Sequence, residues 1–93
     1  MSKPYIVSYD LDNPGQKYNE LKKIIDAHSI HWCRYLDSTF LIRANDSADD
    51  ILQALKAVID SNDSVFIANI SNTDYSGWLT DKQWDYIRNN ILY

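Results

Sequence analysis

Tyr9 and Asp10 close the apolar, β-type run "PYIVSYDL" that spans residues 4–11. A carboxylate at a strand end either caps a turn or holds a metal. Period-2 alternation puts Ser8 on the same face as Asp10, and Asp12, Asp37 with Ser38, Asp60 and Asp63 fall in the turn-like segments between periodic runs. If the fold gathers these segments, one rim carries several hard oxygen donors, the setting Mg²⁺ or Mn²⁺ prefers. The alternative holds for each acid: Asp is favoured at turns and helix ends through its own bonds to backbone.

Other chemistries find less support. A nucleophilic site needs a base beside Ser or Cys, and the two histidines, His28 and His31, sit at a helix end and a strand start. Neither belongs to a zinc-ligand spacing, and neither Gly15 nor Gly77 to a phosphate-cradling loop. The single Cys33, inside the apolar run "HWCRYL", reads as a small buried side chain.

The elements that must position the acids follow from periodicity. Tyr5, Val7 and Tyr9 alternate with Ile6, Ser8 and Asp10, giving a first strand that Asn13, Pro14 and Gly15 break. Tyr18, Leu21, Ile24, Ile25 and His28 recur at helical spacing over residues 16–28. "HWCRYL" and "TFLIRA" flank Asp37 and Ser38 and read as a hairpin. Ser47 with Asp50 fits a capping box, and the stripe Ala48, Ile51, Leu52, Leu55, Val58 and Ile59 continues it as a second helix. "SVFIANIS" supplies a fourth strand, "NTDYSGWL" a loop or short extra strand, and Thr80 with Gln83 caps a last helix carrying Trp84, Ile87 and Ile91.

The order βαββαβ predicts an α+β, ferredoxin-like fold: a four-stranded antiparallel sheet, two helices on one face, and a C-terminal aromatic tail or short helix. In that topology Asp10, Asp37 and Asp63 share one rim, with Asp12 and Asp60 in adjoining loops. A regular hairpin closing on Asp37 and Ser38 pairs Tyr35 with Phe40 and Cys33 with Ile42 on the core face. It leaves Trp32, Arg34, Leu41 and Arg43 on the other face. That blend is enriched at interfaces, so Trp32, Arg34 and Arg43, with Trp78 of the tail, are the expected contact residues of a homodimer. A cross-strand cation–π pair between Trp32 and Arg43 is the plainer alternative. The tail residues Tyr75, Trp78, Trp84, Ile87 and Ile91 carry too much apolar surface to stay undocked.

Composition sets the outer bounds. The 93 residues allow one domain, with a core over about residues 4–71 and an extension over 72–93. Hydrophobic residues make up 45% with two Gly and two Pro, which excludes a disordered or low-complexity chain. No apolar run approaches the roughly 20 residues of a membrane span, and a cytoplasmic protein with no membrane partner is expected. The net charge is −4, and the nine Lys and Arg are scattered. With no basic stripe to release phosphate counterions, tight nucleic-acid binding needs a metal or a partner.

The run "YIVSYDL" at the head of a chain of this length and order resembles the small CRISPR-associated protein two family, over about residues 4–71. The resemblance implies a ferredoxin-like fold whose first strand ends in a Tyr-Asp pair, here Tyr9 and Asp10. It implies a homodimer that brings the acids together, and metal-dependent endonuclease activity on RNA or DNA, reported for some members. Asp10 would then hold Mg²⁺ or Mn²⁺ and, with Tyr9, form the catalytic pair; Ser8, Asp12, Asp37, Ser38 and Asp63 would be supporting residues. "YIVSYDLDNPGQ" and the hairpin residues Tyr35, Leu36, Asp37, Ser38 and Thr39 look closer still to a Cas-two-like bacterial group labelled SinR family, a label that implies no demonstrated activity. The acidic balance and the aromatic tail after Ser71 depart from the family pattern. A non-catalytic dimeric adaptor, or a toxin–antitoxin-type interaction protein using the open sheet face, therefore stays open beside the nuclease.

Overall fold

The structure, a computed structural model, describes residues 1–93, the side chains of Pro14 and Gln16 excepted. Its elements run β1 (Lys3–Asp10), α1 (Pro14–His28), β2 (His31–Leu36), β3 (Thr39–Ala44), α2 (Ala48–Leu55), β4 (Ser64–Asn69) and α3 (Asp81–Asn90). The four strands form one antiparallel sheet in the order β2-β3-β1-β4. This is the ferredoxin-like α+β arrangement that the order of elements predicts.

The central position of β1 follows from its pattern. Tyr5, Val7 and Tyr9 are all buried on one face, where Leu21 and Ile25 of α1 and Ile51 and Leu55 of α2 meet them. Phe40 of β3 is the hub: its ring lies 5.8 Å from Tyr9, 6.3 Å from Tyr18 and 5.6 Å from Trp32 between centroids, separations at which aromatic pairs attract beyond simple burial. The start of α2 is fixed by a reciprocal capping box in which Ser47 accepts from the Asp50 amide and Asp50 from the Ser47 amide. Thr80 and Gln83 do the same for α3. The α2 stripe is shorter than its sequence pattern, because the chain turns after Leu55 and Val58 and Ile59 reach the core from a loop.

The hairpin differs from the regular pairing expected of it. Leu36 does pair with Thr39 across the Asp37–Ser38 turn, but the register shifts between Leu36 and Cys33, so Trp32 faces Ile42, Cys33 faces Leu41 and His31 faces Arg43. A bulge places one extra residue in β2, and a one-residue shift exchanges the two faces of a strand. Trp32 is thereby turned to the α1 side, where it packs on Phe40 and its indole N–H donates to Asp26 at 2.7 Å. Cys33 and Tyr35 are turned to the opposite face. Trp32 and Arg43 thus lie on different faces, and the cation–π pair between them does not form. Lys22 lies over Trp32 instead, and Arg43 lies over Tyr93.

That opposite face is half covered. Ile87 of α3 and Ile91, the residue that caps its end, bury Cys33 and pack on Tyr35 and Leu41, with Leu79, Trp84 and Leu92 around them. The C-terminal segment therefore docks on the β2–β3 half of the sheet, and burial of Cys33 raises its thiol pKa to about 11. The β1–β4 half carries no helix, and Phe66 on it is exposed. Among the described residues no helix is long and apolar enough to cross a membrane.

Docking of α3 is testable. Ile87 is fully buried, and truncating a buried Ile to Ala costs about 2–5 kcal/mol. Ile87→Ala should shift the urea midpoint to correspondingly lower denaturant, whereas an unchanged midpoint would mean that α3 contributes nothing to the folded state.

Candidate functional site

The rim expected from topology exists. Asp10 pairs with Ser64 at the start of β4, Ser8 pairs with Thr39 at the start of β3, and the Tyr9 amide donates to the Ser38 carbonyl at 3.0 Å. The end of β1 thus lies between the hairpin turn and the α2–β4 loop.

The acids on this rim divide into two sets. Asp63 is a structural anchor: its carboxylate is fully covered and accepts from Lys17 at 2.7 Å, from the Asp12 amide at 2.9 Å and from the Asp60 amide at 3.0 Å. Lys17 also donates to Asp60 at 2.8 Å, and Asp60 caps its own loop through the Asn62 amide. One ammonium between two carboxylates and three backbone amides removes the repulsion expected of clustered acids. Hydrogen bonds from Lys17 hold the Asp63 pKa down to about 2 and also lower that of Asp60, while the two acids raise that of Lys17. Asp63 is therefore not available as a supporting metal ligand, and Asp12 contributes its amide to this anchor while its side chain stays at the surface.

Asp10 belongs to the other set. It is exposed, and no described residue donates to its carboxylate. Ser8 stands two positions before it on the same face, and Asp37 and Ser38 are exposed in the adjacent turn. The donors are hard oxygens, which suits Mg²⁺ or Mn²⁺ in type. Their number falls short within one protomer, because among the described residues no three carboxylate, imidazole or thiol side chains converge. Mg²⁺ is commonly held by one or two carboxylates with several waters retained, so one carboxylate from each of two protomers would fit it.

Tyr9 does not stand with Asp10. Alternation puts its ring on the opposite face, in the core, with its hydroxyl donating to the Asp37 carbonyl at 2.9 Å. Burial raises its pKa. The pair is adjacent in sequence but split by the pleat, which makes Tyr9 a residue that positions the turn. Arg34 donates to the same carbonyl at 2.7 Å and lies over the Tyr18 ring at 4.6 Å, so it braces the helix-covered side. Arg43 is buried: its guanidinium donates to the carbonyls of Ile91 and Tyr93 and to Ser2. Of the four expected contact residues, Trp32 and Arg34 face the α1 side and Arg43 is sealed under the chain ends. Trp78 stands wholly exposed.

Two features escaped sequence reasoning. Lys17 lies near the positive end of α1, where a cation is unfavourable without acid partners, and that misfit was the available signal. The exposed Leu36 and Phe66 become visible only once the bulge and the sheet order are known.

No protein-family model matches the chain, and no curated protein matches it. Among solved structures, a hypothetical protein from Thermus thermophilus superposes with a TM-score of 0.62 at 15% identity, over 84% of this chain and 94% of that one. The likeness shows the fold alone.

The anchor predicts a pH dependence. Asp63 titrates near 2 when folded, below the ordinary carboxylate value of about 3.9, so its contribution is complete above that ordinary value and is lost as pH falls through the folded value. Lys17→Met should lower stability near neutral pH and flatten the acid limb of the profile between about pH 4 and pH 2. An acid limb of unchanged slope would place the acid-sensitive groups elsewhere.

Proposed function

We propose that this chain works as a homodimer of the CRISPR-associated protein two type, a metal-dependent endonuclease in which Asp10 of each protomer holds a shared Mg²⁺ or Mn²⁺. The observation that supports it is the contrast on the rim: Asp60 and Asp63 are neutralised by Lys17, whereas Asp10 projects an unengaged carboxylate from the end of the central strand. A bound cation would supply phosphate polarisation and activation of water. The chain's own residues do the positioning. The Tyr9 hydroxyl and the Arg34 guanidinium fix the Asp37 carbonyl, and the Asp63 anchor fixes the loop after β1, so the Asp10 backbone is held on both sides. The charge of −4 makes the cation the means by which a phosphodiester could approach.

A second reading, a non-catalytic dimeric adaptor or toxin–antitoxin-type interaction protein, is favoured by the exposed apolar residues Leu36, Phe66 and Trp78, which serve association whether or not Asp10 holds an ion.

Thermal unfolding with millimolar Mn²⁺ separates the two. A ligand that binds only the folded state raises stability by mass action, so the wild type should melt higher with Mn²⁺ and Asp10→Asn should not. The same substitution should abolish Mn²⁺-dependent cleavage of RNA or DNA while leaving mass and fold intact. Equal responses of wild type and variant, or none from either, would refute the metal site and leave the adaptor.

A further inference from the structure

An apolar groove of about 520 Å³ lies between the sheet and the β4–α3 loop. Ile6, Leu36 and Leu41 form its sheet wall and Trp84 and Ile87 its helix wall, and Tyr75 and Trp78 stand on its rim. Trp78 is 100% exposed, Leu36 60% and Tyr75 53%, and Phe66, 69% exposed, flanks the groove on the same sheet face. At about 150–250 Å² per large aromatic side chain, the exposed fractions of Trp78, Phe66 and Tyr75 alone leave roughly 450 Å² in water. A patch of that size is often functional, and a standard interface takes about 800 Å² from each partner.

Three observations identify the occupant. The groove and the unoccupied Trp78 share one surface, so a partner that offers a large aromatic to the groove and accepts one in return is complementary to it, and a two-fold pair of identical chains supplies both. Asp74 is the single charged residue among those lining the groove, so a chain of net charge −4 can meet its own copy here with little like-charge contact. Thr39 lines the groove and pairs with Ser8, two residues from Asp10, so the groove ends beside the rim where two carboxylates are required to meet. We propose that this groove is the seat of Trp78 from a second copy of the chain, each protomer filling the other's groove about a two-fold axis. The inference rests on the two-protomer reading above and names its contact.

Light scattering at tens of micromolar, with tryptophan emission followed on dilution, tests it. The wild type should be a dimer whose emission moves to longer wavelength as it dissociates. Trp78→Ala, at a site too exposed to disturb the fold, should associate at least about 30-fold more weakly, the loss typical of a central interface aromatic. Leu36→Asp should do the same from the groove side. A wild-type monomer would overturn both the two-protomer reading and this contact, whereas a wild-type dimer that both variants leave intact would overturn this contact alone. A monomeric wild type that instead takes up a small apolar probe in the groove would assign the groove to a ligand and equally overturn the proposal.

Discussion

The buried guanidinium of Arg43 decides what the rest of the molecule can present. It donates to the Ile91 carbonyl at 2.8 Å, to the Tyr93 carbonyl at 3.2 Å and to both oxygens of Ser2, and it lies 3.7 Å from the centroid of the Tyr93 ring. A guanidinium taken out of water is tolerated only when its donors are satisfied, and here the acceptors come from both ends of the chain. The arrangement pins the end of α3 beside β3. Because α3 is ten residues long, about 15 Å at 1.5 Å per residue, it covers the β2–β3 half of the sheet and leaves the β1–β4 half open. Phe66, Ser8 and Asp10 lie on that open half, and the groove lined by Leu36 and Trp84 lies at its boundary.

The rim shows the same economy in charge. One lysine holds two aspartates and thereby joins the β1–α1 loop, α1 and the α2–β4 loop. The loops around Asp10 are braced while Asp10 itself is left out of the network. A turn-capping acid is recognised by the amides it accepts from, as Asp63 and Asp60 are. By that criterion Asp10, like Asp12 and Asp37, caps nothing on its rim, and of these three it alone stands at the end of the central strand.

Much of this was legible from residue order. The alternation of Tyr5, Val7 and Tyr9 marked the buried face of β1, the Leu21 and Ile25 spacing marked α1, and two capping boxes marked the starts of α2 and α3. Those signals are local, and local chemistry decided them. The hairpin was legible at its turn and not beyond it, because "HWCRYL" is mixed on both faces: Trp32 or Cys33 could each plausibly face the core. The bulge that chooses Trp32 is settled by the Phe40 ring on one side and by Ile87 and Ile91 on the other, partners 8 and more than 50 residues away. Lys17 failed for the same reason, since its acids come from a loop over 40 residues later. At the candidate site the sequence pair Tyr9 and Asp10 was correctly placed at the rim, but adjacency in sequence is opposition across a pleat, and one member is core.

The nuclease and adaptor readings share a dimer and ask opposite things of Asp10. If two copies meet with their Asp10 carboxylates close, like charges face each other in a partly desolvated seam and repel unless a cation lies between them. Lys17 cannot serve there, being committed to Asp60 and Asp63 on the α1 side. A seam that closes at the rim thus calls for a divalent ion, and association and ion binding become one linked equilibrium in which each strengthens the other. If the copies meet further along the groove, the carboxylates stay apart in water and the dimer is indifferent to the ion. The two readings accordingly part on the geometry of the proposed interface: the position of Asp10 relative to its two-fold axis would separate a catalyst from a connector.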